Sequence, residues 1–141
     1  MPPVFTVSSQ PDPEAETIGG AGLDTFNDAM VGYADRLPLN AIVTDSASGA
    51  IVGGIIGRTS LGLLFVDLVW LSEAARGQDT GTKTMALAED EARRRGCQSG
   101  VLYTIGFQAP AFYRKPGWRV FGEIPCDPPG TSRVFLTEDL R

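Results

Sequence analysis

The run LLFVDLVWL, Leu63 to Leu71, constrains this chain more than any other stretch. It is apolar on both faces of an extended chain, so a strand built from it has to be covered on two sides, in the centre of a sheet. Asp67 is the one exception, and an unpaired carboxylate in such a place is costly. After the strand comes SEAARGQDTG, residues 72 to 81, and then a helical run from about Thr80 to Arg95. A loop that leaves the carboxyl end of a central strand and enters a helix is where an α/β chain binds ligands. The helix N-terminus offers unpaired N–H groups and about half a positive charge, and glycines let the backbone approach an anion closely. Arg76, Gly77 and Gly81 suit that task, but Asp79 puts a negative charge in the middle of it.

The flanking sequence predicts the rest of the sheet. Val4 to Val7 reads as a strand, then Gly19, Gly20 and Gly22 loosen the chain. Leu23, Phe26, Met30, Tyr33 and Leu37 recur at helical spacing, and Pro38 ends that helix. Leu39 to Thr44 and Ile51 to Arg58 form a hairpin around the turn residues DSASG. The 80–95 helix carries Glu89, Asp90 and Glu91 four residues ahead of Arg93, Arg94 and Arg95, then stops at Gly96. Its N-cap is Asp79 or Thr80. Val101 to Ile105 is a strand, Gln108 to Lys115 a short helix, and Trp118–Ile124 and Ser132–Thr137 two further strands. The expected fold is a single α/β (α+β) domain over residues 1–141, with a mixed, mostly antiparallel sheet flanked by helices.

Composition removes several chemistries. The chain has 141 residues and no histidine, so Ser-His-Asp and Cys-His catalysis and a Cys/His zinc site are excluded. No metal is expected. The net charge of −5 argues against a nucleic-acid partner and is compatible with a cationic or amine substrate. Cys97 and Cys126 read as free thiols of a cytoplasmic protein, with a disulfide as the alternative. No signal peptide or membrane span is expected, because the longest apolar run, Leu61 to Leu71, is too short and holds Asp67.

Two phosphate-binding templates compete for the loop. The P-loop, GxxxxGK[ST], fails: three residues separate Gly77 from Gly81, and Thr82 parts Gly81 from Lys83. The stretch resembles instead the pyrophosphate loop [QR]xxGx[GA] of the GNAT superfamily of N-acetyltransferases. Arg76 fills the first position and Gly81 the last, with Asp79 where the first glycine is expected. A second segment, Ala109 to Trp118 with Phe112, Tyr113, Lys115 and Gly117, is similar to the family's AxxFYxKxG[FW]. Read without the family, Phe112 and Trp118 are core aromatics and Gly117 is a helix stop.

The resemblance implies an acyl-CoA donor, acetyl-CoA, and an unidentified amine of a small molecule or peptide as acceptor, with direct transfer between them. It implies that the strand ending at Val69, Trp70 and Leu71 splays from the next strand, and that pantetheine bonds to its backbone. The pyrophosphate is expected over Gly77, Gln78, Asp79, Thr80, Gly81 and Thr82, with Arg76 as clamp and Phe112 beside the cofactor. Tyr113 matches the acid that protonates the leaving thiolate. For the base, Asp67 comes first, with Glu73 and Glu123 behind it; a salt bridge from Asp67 to Arg58 or Arg119 is the structural alternative. A homodimer is a further family expectation. A carboxylate about 5 Å from a phosphate costs on the order of 3 kcal/mol at an effective dielectric near 20. Asp79 escapes that cost by capping its helix or by pairing with Arg76 or Lys83. The alternative reading is a GNAT-fold protein with weakened or lost acyl-CoA binding that acts through contacts with other molecules.

Overall fold

The computed structural model describes residues 1–106 and 117–141. These form two compact units, Met1–Ala34 and Asp35–Arg141. The first unit holds helix α1, Pro13–Val31. Asp12 caps it by accepting from the Ala15 N–H at 2.9 Å, Pro13 opens the first turn, and Gly32 closes it in the left-handed region at φ 92°. The helix therefore begins well before Leu23 and ends before Leu37. An Asp-Pro start and a Gly stop set its bounds, whereas apolar spacing alone pointed further along the chain. Gly19, Gly20 and Gly22 lie inside it, and Val4–Val7 is in no regular element.

The second unit is a six-stranded sheet. Its strands are β1 (Leu37–Thr44), β2 (Ile51–Ser60), β3 (Leu63–Leu71), β4 (Ser99–Ile105), β5 (Arg119–Cys126) and β6 (Thr131–Asp139). They lie in the order β1-β2-β3-β4-β6-β5. All neighbours are antiparallel except β3 and β4, which run parallel and are joined through helix α2, Thr80–Arg94. The mixed, mostly antiparallel sheet expected from sequence is what forms, with β3 inside it. Pro38 sits within β1, an edge strand, where a missing N–H is tolerated.

One face of the sheet carries the core. Leu39, Ala41, Ile55, Leu64, Val66, Leu102, Val134 and Leu136 pack there with Met85, Ala88 and Ala92 of α2 and with Trp118. Arg95, just past α2, fastens the helix to the sheet edge. It donates to the Leu37 and Pro38 carbonyls at 3.3 and 3.0 Å, to the Thr59 hydroxyl at 3.1 Å and to Glu91 at 2.8 Å. The other arginines depart from the expected i,i+4 pattern: Arg93 pairs with Asp90 and Arg94 with Glu91. Cys97 and Cys126 are both free thiols.

Candidate active site

The site begins where the parallel pair stops. β3 and β4 are in register only at Leu63–Ser99, Leu64–Gly100 and Phe65–Val101. Beyond Phe65 they diverge, because β3 carries a bulge: Gly57 partners Val66 and Ile56 partners Leu68, leaving Asp67 as the extra residue. Gly57 allows this close approach, since a Cβ there would overlap the Phe65 carbonyl oxygen. The result is a cleft whose lips are β3 from Asp67 to Leu71 and β4 from Tyr103 onward.

Asp67 lies on the cleft's lip and is not buried. Its carboxylate accepts from Arg58 Nη1 at 2.6 Å, with the two side chains 48% and 50% exposed, and Arg58 lies over the Phe65 ring at 4.3 Å. The burial argument for Asp67 therefore does not hold; of the two expected ion-pair partners, Arg58 is the one that forms. Glu123 is on β5, two strands away from β4, where it accepts from the Ser132 hydroxyl at 2.7 Å. Glu73 starts the 3-10 turn Glu73–Ala75 that follows β3.

The backbone of Val69–Leu71 faces two ways. Ser72 N–H donates to the Val52 carbonyl at 2.8 Å, and Gly54 partners Trp70. Antiparallel alternation then turns the polar groups of Trp70 toward β2 and those of Val69 and Leu71 toward the cleft. The Leu71 carbonyl does point away from β2, accepting from Arg76 Nε at 3.3 Å. The strand thus offers N–H and C=O groups to an extended amide-bearing ligand. The Arg76 side chain is drawn back over its end.

Gly77, Gln78 and Asp79 follow in three consecutive left-handed conformations, at φ 96°, 53° and 59°. For Gln78 and Asp79 such a backbone costs of order 1–3 kcal/mol each. The Gly77 carbonyl is held by the Thr80 N–H and hydroxyl at 3.1 and 2.8 Å. The N–H groups of Gly77, Gln78 and Asp79 have no partner among the described residues, and the loop runs straight into the N-terminus of α2. This concavity suits an anion. Asp79 takes the N-cap position but makes no side-chain capping bond. Among the described residues it forms no ion pair with Arg76 or Lys83 either. Neither expected escape is used. Phe112 and Tyr113, with the expected helix from Gln108 to Lys115, lie outside the described residues.

The far lip went unread in the sequence. Tyr103 and Phe135 are cross-strand neighbours with ring centroids 5.6 Å apart, and Phe121 meets Phe135 edge-on at 6.2 Å. Val101 to Ile105 registers only as a strand; alternation does not tell which of its two faces stays open.

A parallel strand pair that parts midway, joined through a loop of N–H groups unpartnered among the described residues and a helix N-terminus, is the arrangement expected of an acyl-CoA-dependent acyltransferase. The comparisons narrow this further. Residues 8–118 match the Acetyltransferase (GNAT) family, and the chain belongs to it. An acetyltransferase of Agrobacterium fabrum is 34% identical over 132 residues, 94% of this chain and 96% of the relative. The blasticidin-S acetyltransferase of Streptomyces morookaense is 39% identical over 93 residues, 65% of this chain and 68% of the relative. A crystal structure of an acetyltransferase-family protein from Agrobacterium tumefaciens superposes with TM-score 0.86 at 32% identity, covering 96% of this chain and 98% of its own. The protein is an acyl-CoA-dependent acetyltransferase, and its family uses acetyl-CoA.

Proposed function

We propose that residues 1–141 act as one domain that moves the acetyl group of acetyl-CoA directly to the amine of a small molecule or peptide. The observation that carries this is the cleft. The pairing of β3 and β4 ends at Phe65 and Val101, and the turn Glu73–Ala75, the left-handed loop Gly77–Asp79 and the start of α2 follow β3 in that order. In this reading the pantetheine amides bond Val69 and Leu71, with Trp70 between them. The pyrophosphate lies over Gly77 to Thr82, with Thr80 and Gly81 in the first helical turn and Arg76 as the charged clamp. A cleft-facing N–H of Val69 or Leu71 polarises the thioester carbonyl.

The neutral amine attacks the carbonyl carbon, the C–N bond forms and the C–S bond breaks. The amine's proton passes to Asp67 on the cleft lip, and the Tyr113 hydroxyl protonates the leaving thiolate. Such proton transfers contribute about 10²–10⁴-fold. Phe112 packs beside the cofactor. The relative that acetylates blasticidin-S supports a small-molecule acceptor. No helix among the described residues is long and apolar enough to cross a membrane. A cytoplasmic homodimer that needs no metal and no nucleic acid completes the reading.

Thermal-shift titration with acetyl-CoA, followed by free-thiol detection across a panel of amines, tests it. Stabilisation by acetyl-CoA and thiol release with at least one amine are expected. No stabilisation at millimolar acetyl-CoA would sink the reading. Tyr113→Phe should lower kcat at least tenfold with little change in acetyl-CoA affinity; full activity would remove Tyr113 as the acid.

A further inference from the structure

We propose that the acyl acceptor is an amine carried on an aromatic or other flat π-bearing group, seated on the ring of Tyr103 at the far lip of the cleft, with Phe121 two strands away extending the aromatic surface. The inference rests on the acetyl-transfer reading above and names the class of acceptor. Its first support is position. Phe65 and Val101 are the last parallel partners, so their side chains share a face. Two residues further on, Asp67 and Tyr103 stand on opposite lips. Asp67 is on that same face, since it bonds the Arg58 that lies over Phe65. The opposite face of these strands holds Leu64, Leu102, Val134 and Leu136 in the core.

The second support is that the rings are placed outward. Tyr103 is 62% exposed and Phe121 58% exposed, and Phe135 links them. Phe121 reaches this face through a bulge: Val120 partners Leu136 and Gly122 partners Phe135, leaving Phe121 as the extra residue. Bulges re-aim side chains beside active sites. The Tyr103–Phe135 pair also stabilises the sheet, and a contiguous exposed aromatic patch of this kind is where binding surfaces form.

The third support is that flat cations already stack here. The Arg58 guanidinium sits over Phe65 at 4.3 Å and that of Arg133 over Tyr103 at 6.0 Å. These rings thus already take planar groups, and an acceptor ring seated on Tyr103 takes the place of Arg133. The near lip supplies the complementary end. An aliphatic amine is a cation in neutral solution, and Asp67 is the carboxylate that meets it. An acceptor with its amine toward Asp67 and its ring toward Tyr103 uses both lips, whereas a plain alkylamine leaves the rings bare.

The test compares 2-phenylethylamine with 2-cyclohexylethylamine, which are close in size and differ in the π-system, with kcat/KM referred to the concentration of neutral amine because the phenyl ring also lowers the basicity. With saturating acetyl-CoA, kcat/KM is expected to be about three- to tenfold higher for the phenyl compound, the worth of a ring–ring contact beyond its area. Tyr103→Leu should erase that preference, and Tyr103→Phe should keep it. Acetyl-CoA affinity should stay the same in both. Equal kcat/KM for the two amines in the native protein overturns the inference and leaves acetyl transfer standing. If acetyl-CoA binds but neither amine turns over, titration of each amine against the emission of the exposed Trp70 decides. Tighter binding of 2-phenylethylamine that depends on Tyr103 upholds the inference, and equal or absent binding overturns it. Failure of acetyl-CoA itself to stabilise the protein overturns both readings.

Discussion

Asp79 is the residue on which occupancy of the cradle turns. Its charge was plain in the sequence, but its conformation was not. It stands left-handed at φ 59°, as Gln78 does before it at 53°, and its carboxylate is neither in a cap nor in an ion pair among the described residues. It supplies the backbone shape that a glycine would give and leaves a negative charge beside the anion's seat. Asparagine tolerates the same backbone without the charge. Asp79→Asn and Asp79→Gly should therefore both tighten acetyl-CoA, by up to about a hundredfold at an effective dielectric near 20. Calorimetric titration reads this directly. Tightening in Asp79→Gly alone would trace the penalty to the backbone, and unchanged affinity in both would show that the carboxylate swings clear of the phosphates.

At the scale of elements, strong local signals proved reliable, and features made by distant partners stayed hidden. The apolar run Leu63–Leu71 placed β3 inside the sheet, although it is not covered on both sides, since Leu68, Val69 and Trp70 stay exposed, and the DSASG residues marked the β1–β2 turn. The bulge at Asp67 depends on the register of β2 against β3, and the end of pairing after Phe65 depends on β4. Neither leaves a local trace. The same holds for Arg95, which reads as one end of an i,i+4 pair yet also bonds three groups on β1 and β2. Arg95→Met, which keeps the stem but loses the donors, should destabilise the protein by about 2–3 kcal/mol in urea denaturation. A loss under about 0.5 kcal/mol would reduce Arg95 to an ordinary surface charge.

The β1–β2 turn carries a pH signature of its own. Asp45 accepts from the Ser48 and Ala47 N–H groups, and these bonds hold its carboxyl below the ordinary value. A carboxyl whose folded pKa is depressed stabilises the fold above its unfolded pKa, and that stability fades as pH falls through the folded value. Asp45→Ala should thus be less stable than the parent at neutral pH, with the gap closing below about pH 4. A gap that stays constant from pH 7 to pH 2 would contradict this.

The whole chain constrains its chemistry through what it lacks. With no histidine among 141 residues, no group of the chain has its ordinary pKa between 6 and 7. A carboxylate of ordinary acidity is already ionised there, and a tyrosine of ordinary acidity is still protonated. The group that changes across neutral pH is then the acceptor. An alkylamine with a pKa near that of lysine is only about one part in a thousand neutral at pH 7.4, and the neutral form is the nucleophile. With saturating acetyl-CoA, log kcat/KM for the amine should rise with a slope near one from pH 6 to 9, without a bend. The plateau should track the amine's own pKa when acceptors of different basicity are compared. A bend between pH 6 and 7 that is independent of the amine would mean that a carboxylate had been driven into that range. Loss of the bend in Asp67→Asn would then assign it to the residue on the cleft's lip.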